Sequence, residues 1–125
     1  MGKVLIVDDD ASFRRMLHRI LAYEPNLEVC GEAENGREAI EKILQFQPDV
    51  VVLDVLMPVM NGLDAARTLR HMMPTLPLIL NSATVDPATE QQARTIGISE
   101  IVPKSAEVLI QKARQILSRD NHAAA

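Results

Sequence analysis

The sequence has no tryptophan, and Phe13, Tyr23 and Phe46 are its only aromatic residues, 2% of 125. Without aromatics it lacks the stacking platform that single-strand nucleic-acid binders use. Positive charge is also in short supply. Thirteen basic residues against seventeen acidic ones leave a net charge of −4, which argues against direct nucleic-acid binding. A lone cysteine, Cys30, excludes an internal disulfide and any cysteine-based zinc site. No apolar run approaches the length of a membrane span. The opening MGKVLIVDDD is too short in apolar residues for a secretory signal, and Ile6 breaks the myristoylation pattern. What is present is an ordinary globular balance, 47% apolar and 24% charged. A chain of this length buries roughly two-thirds of its unfolded surface without disulfide or metal staples. The expectation is one acidic, reduced, cytoplasmic domain.

Strand and helix patterns alternate along the chain. Val4–Val7 is a β-branched apolar run, and Phe13, Met16, Leu17, Ile20 and Leu21 then fall at helical spacing up to Pro25. Leu27, Val29, Gly31 and Ala33 alternate with Glu28, Cys30 and Glu32, the pattern of a half-exposed edge strand. Asn35 with Glu38 opens a helix whose inward residues are Ala39, Ile40, Ile43 and Leu44. Val50–Leu53 reads as a strand covered on both faces. Asn61-Gly62 opens a third helix running to about Met72. Pro77–Asn81 is a fourth strand, and Asp86-Pro87 starts a helix that Gly97 ends. Ile101–Val102 is a short fifth strand, and Ser105 caps a last helix with Leu109, Ala113, Ile116 and Leu117 inward. Five βα units with short connections predict an open, doubly wound parallel sheet in the order 2-1-3-4-5, helices on both faces. The domain is expected to span 1–118, with a disordered polar and alanine-rich tail over 119–125.

In such sheets ligands bind at the carboxyl ends of the strands, beside the switch point between strands 1 and 3. Those ends carry Asp8, Asp9 and Asp10 on strand 1, Asp54 on strand 3, Asn81 and Ser82 on strand 4, and Lys104 after strand 5. Asp10 needs no role beyond capping the first helix. Asp54 is different, because no helical pattern starts directly after it. A carboxylate among apolar neighbours, facing Asp8 and Asp9, has its pKa raised unless a cation compensates it. All-oxygen ligands select Mg2+ rather than zinc. Such a site suits phosphoryl transfer, with Asp54 as nucleophile, Lys104 as a point charge on the phosphoryl oxygens and Ser82 as a hydrogen-bond donor.

VLIVDDD, VVLDVLMPVMNG, LNSAT and VPKSA, in register on five βα units, resemble the receiver domain of two-component response regulators, the CheY-like superfamily. The resemblance runs from Lys3 to about Leu117. It implies that Asp54 accepts a phosphoryl group from a histidine kinase or phosphotransfer protein. It also implies that Asp8, Asp9, Asp54 and the backbone carbonyl of Leu56 hold Mg2+, and that Ser82 and Lys104 are the switch hydroxyl and the family's lysine. The signal would pass to a downstream protein or output domain through the surface of helix 4, strand 5 and helix 5. Such a protein is a signalling phosphoacceptor rather than an enzyme, and works without a membrane.

Two positions depart from the family's pattern. Ile101 stands where the switch aromatic is usual, and Pro103 precedes Lys104 where a proline normally follows it in a cis peptide. The KSA form resembles receivers joined to helix-turn-helix output domains. The alternative is a receiver-like scaffold that works without phosphorylation, but such a protein would be expected to lack Asp9, Asp54 or Lys104. A DxDxT phosphatase signature is missing, and three aspartates would repel a flavin phosphate. His18, His71 and His122 are expected to be solvated, Met57, Met60, Met72 and Met73 to pack, and Cys30 to be unreactive. Helix 4 should be the loosest element, held by Ala88, Ala93 and Ile96.

Overall fold

The computed structural model describes residues 2–84, 86–98 and 100–124, with backbone alone over 119–124. Strands β1 (Gly2–Val7), β2 (Leu27–Ala33), β3 (Val50–Asp54), β4 (Leu78–Ser82) and β5 (Glu100–Pro103) alternate with five helices. These are α1 (Ala11–Leu21), α2 (Gly36–Phe46), α3 (Gly62–Met72), α4 (Pro87–Ile96) and α5 (Ala106–Ala124). The sheet is parallel throughout, in the order β2-β1-β3-β4-β5. That is the architecture the alternation predicts.

Local chemistry sets the helix starts. Asp10 accepts from the amides of Ser12 and Phe13 at the start of α1, and Asn35 from that of Glu38 in α2. Asn61 and Asp86 do the same for α3 and α4, with Pro87 at the first helical position. Gly97, at φ +95°, ends α4 in the left-handed conformation that glycine adopts without penalty.

Two apolar layers cover the sheet. Leu5, Val7, Val51, Leu53, Leu78 and Leu80 face α2, α3 and α4. Val4, Ile6, Val50, Val52, Ile79 and Val102 face α1 and α5. Every residue of β3 is buried, as its solid apolar run requires.

Several packing expectations need correction. The register between β1 and β2 shifts between Val4 and Leu5, leaving Cys30 unpaired in a bulge. Leu27 and Val29 therefore pack in one layer, whereas Cys30 and Ala33 pack in the other. One residue of slip exchanges the faces, which no simple alternation shows. Met16, Leu44 and Met72 are exposed rather than inward, and so is Ala88. Helical spacing marks an apolar stripe, but its margin lies beyond the reach of the sheet. His18 is half-exposed and paired to Glu32, its Nδ1 2.8 Å from a carboxylate oxygen. The backbone of α5 is helical to Ala124, past the expected domain end at 118. The expected tail falls on residues whose side chains, and at Ala125 also the backbone, lie outside the described residues, as does the side chain of His122.

Candidate functional site

The alternation of side chains along a strand explains which acids meet. Val4, Ile6 and Asp8 share one parity in β1 and just beyond it, as do Val50, Val52 and Asp54 in β3. Each series is apolar within the sheet and acidic at its carboxyl end. Asp8 and Asp54 thus emerge side by side on the α1/α5 face. Both are buried, Asp54 with 3% of its surface exposed, whereas Asp9 is exposed. Asp8, Asp9 and Asp54 can each bring a carboxylate oxygen within 4.8 Å of the others. Oxygens at that separation need only slight adjustment to surround an ion with ligand distances near 2.1 Å.

Lys104 closes the cluster from β5. Its Nζ is 3.0 Å from Asp8 Oδ2 and 3.3 Å from Asp54 Oδ2. It also lies 5.2 Å from the centre of the Phe13 ring, whose face attracts the ammonium. Burial pushes the Asp54 carboxyl up to about 6 and the Asp8 charge pushes it the same way, with Lys104 compensating only in part. For Lys104, burial acts downward, but the hydrogen bond and charge of Asp8, then those of Asp54, outweigh it and leave the pKa raised. Asp8 Oδ2 is buried and, despite the nearby ammonium, accepts no hydrogen bond of good geometry. Three carboxylates against a single ammonium leave net negative charge, which fits a hard divalent cation.

Other residues frame this centre. Asp8 Oδ1 accepts from the Asp10 amide, and Arg14 Nη1 donates to the Asp8 carbonyl at 2.5 Å while its Nε pairs with Glu32. Ser82 is buried, and its hydroxyl donates to the Thr84 carbonyl at 2.7 Å instead of to the cluster. Leu56, two residues past Asp54, leaves its side chain 73% exposed at the mouth. The loop from β3 to α3 returns tightly. The Gly62 amide donates to the Val55 carbonyl, and a Cβ on Gly62 would overlap the carbonyl of Asp54. No described peptide bond is cis, including the one after Lys104. The sequence reading placed Phe13 only on the apolar stripe of α1 and gave Arg14 no role. Helical spacing does not show that either reaches the acidic cluster.

The response regulator receiver domain model matches residues 4–114. The chain belongs to that family. Receiver domains are the signalling phosphoacceptors of two-component systems. The receiver is 41% identical over 116 residues to the protein-glutamate methylesterase/protein-glutamine glutaminase of Pyrococcus abyssi, covering 91% of this chain and 31% of that protein. The Pyrococcus horikoshii protein of the same name is 45% identical over 104 residues, 82% of this chain and 28% of its own length. The chain thus spans about three-tenths of the length of these relatives. The solved response regulator domain of Thermotoga maritima CheB superposes with a TM-score of 0.84 at 30% identity, over 94% of this chain and 97% of that one. A receiver domain protein from Methanospirillum hungatei superposes at 0.89 with 21% identity and supports the fold alone.

Proposed function

We propose that this receiver accepts a phosphoryl group on Asp54 from a histidine kinase or phosphotransfer protein, in a reaction that depends on Mg2+. The observation that carries the reading is the placement of one ammonium against two buried carboxylates, Lys104 between Asp8 and Asp54 at the β1/β3 switch point. A half-buried lysine costs free energy unless its charge is paired, and Lys104 is paired with both. Asp54 attacks phosphorus, the bond from phosphorus to the donor's imidazole nitrogen breaks, and the electron pair returns to the imidazole. Lys104 then pairs with a phosphoryl oxygen, and the Ser82 hydroxyl turns from Thr84 to another. Asp8, Asp9, Asp54 and the Leu56 carbonyl would hold the metal, which neutralises charge on the phosphoryl oxygens.

The response would be read at α4, β5 and α5. Only Ala93 of α4 is fully buried, and the half-buried Ile101 offers no ring hydroxyl to follow the Ser82 hydroxyl. The readout therefore runs through packing of Ile101 and Ile96 rather than through an aromatic rotamer. We take the folding unit to end near 118, since Leu117 is the last described residue packed on the core. The function is regulatory, performed in the cytoplasm, with a downstream protein or output domain as recipient and no direct contact to nucleic acid or membrane. Among the described residues no helix is long and apolar enough to cross a membrane.

Acetyl phosphate labelling, with and without Mg2+, tests the reading. Label that needs the metal and vanishes in Asp54→Asn is the expected result. A parent protein that takes no label would favour a phosphorylation-independent scaffold.

A further inference from the structure

Asn81 is fully buried, and neither its Oδ1 nor its Nδ2 has a hydrogen-bond partner. An amide left in that condition costs free energy that an apolar side chain would not. Its position in the sheet says what it faces. Asn81 is the register partner of Asp54 across β3 and β4, so the two side chains leave the sheet on the same face. On its other side it pairs with Val102, two residues before Lys104. Since β4 lies between β3 and β5, the Lys104 side chain must cross the end of β4 to reach Asp54. Asn81 is the β4 residue on that face at that level. Ile79, one step back on the same face, is apolar core, so nothing in the packing pattern asks for an amide here.

We propose that Asn81 is a further hydrogen-bonding residue of the phosphoacceptor site, its Nδ2 donating to the Asp54 carboxyl group as the phosphoryl group leaves. The inference rests on the receiver reading above and extends it. In the loss of the phosphoryl group, a water oxygen bonds to phosphorus and the bond from phosphorus to the Asp54 oxygen breaks. The electron pair stays on the carboxylate, the water gives its proton to solvent, and inorganic phosphate departs. Negative charge grows on Asp54 along this path, so a donor held there strengthens as the bond breaks. When Asp54 is the nucleophile the charge runs the other way, and the same donor restrains attack. Asn81 therefore shortens the life of the acyl phosphate without aiding its formation.

The test uses Asn81→Leu, which keeps the number of side-chain heavy atoms and the branch at Cγ, and Asn81→Val, smaller than leucine and suited to a strand should the leucine fail to fold. Each is labelled with acetyl phosphate and Mg2+, freed of donor, and followed for loss of label alongside the parent. The expected result is decay slowed by about three- to tenfold in both, labelling at least as fast as in the parent, and an equal or higher melting temperature. In the parent, the Asn81 side-chain amide proton should move upfield in the NMR spectrum on phosphorylation and return as the label is lost, because the acylated carboxyl is a weaker acceptor than the free carboxylate. Unchanged decay with raised stability would make Asn81 a tolerated polar core residue and overturn the proposal, as would faster decay. A parent that takes no label would instead overturn the phosphoacceptor reading and the role of Asn81 with it.

Discussion

The centre of the sheet and its β5 edge are built differently. Around β1 and β3 the sheet is thickly covered, with β3 buried throughout, Leu17 and Leu21 of α1 below and Ala39 and Ile43 of α2 above. Toward β5 the cover thins. Only Ala93 of α4 is fully buried, and of the four residues of β5 only Val102 is. The acids belong to the well-packed part, and the one lysine that touches them enters from the thin part. A phosphoacceptor benefits from that division. Carboxylates must be held in fixed relation to one another to act together, whereas an element that changes its surface must not cost much to move. Lys104, bonded to both Asp8 and Asp54, is the link between the halves.

Glycines in the two regions should break this comparison most visibly. Gly62→Ala drives a methyl group into the backbone of Asp54, at the return of the β3–α3 loop. A loss of about 3 kcal/mol or more is expected by urea unfolding, or no folded protein at all. Gly97→Ala meets nothing within 4 Å and costs only the strain of a positive φ, about 1 kcal/mol. Equal losses would show that the α4 end is as tightly built as the β3 end. Core truncations sharpen the same point. Leu53→Ala, fully buried in β3, should cost about 3 kcal/mol, and Ile96→Ala, half-buried on α4, about 1 kcal/mol. Amide exchange should find α4 opening well below the global unfolding free energy and β1 and β3 opening only with it.

Protonation separates the halves in another way. The Asp54 carboxyl, near 4 in an unfolded chain, is raised to about 6 in the folded one by burial and by Asp8. Between those values the folded state binds more protons than the unfolded state, so this group favours folding at low pH and withdraws that support as pH rises from 4 to 6. Without metal, the parent should lose on the order of 2 kcal/mol relative to Asp54→Asn across that window. Parallel pH profiles for the two proteins would mean that Asp54 is compensated as fully as a surface acid. Asp86 makes the contrast at the thin end. Its carboxylate is held below the usual range by the Thr89 amide and side chain, so its contribution appears above the unfolded pKa and is lost on acidification.

Most of the fold was legible because each element carries its own period and its own cap. Asp10, Asn35, Asn61 and Asp86 all cap where the sequence places them. The meeting of Asp8 with Asp54 was legible for a related reason: parity along two parallel strands is countable once their order is known. What escaped depends on quantities with no period. The bulge at Cys30 is one residue of register, invisible until β1 lies beside β2. Val59 adopts a left-handed backbone, at φ +67°, although a β-branched residue is poorly suited to it. The partners of Arg14 and the isolation of Asn81 depend on side-chain reach across elements far apart in sequence.

The mouth of the site offers the smallest effect. Leu56 follows Asp54 by two residues, and its side chain is 73% exposed above the cluster. An attacking water there must approach phosphorus opposite the Asp54 oxygen, and a leucine offers it neither donor nor acceptor. Thr84, the corresponding neighbour of Ser82, is exposed too, but its carbonyl already accepts from the Ser82 hydroxyl. The acyl phosphate should therefore be long-lived in the parent. Leu56→Asn adds a polar group at the same place, on a side chain that packs against nothing buried, so stability should hardly change. Decay of the label should quicken by about threefold, because one weakly held water is being oriented rather than activated. The same substitution leaves Asp8 and Asp54 in the well-packed part, and the Lys104 that reaches them, untouched. An unchanged decay rate would show that access to phosphorus is controlled from the β4–β5 side, by Thr84 and Lys104, and not from the loop that follows β3.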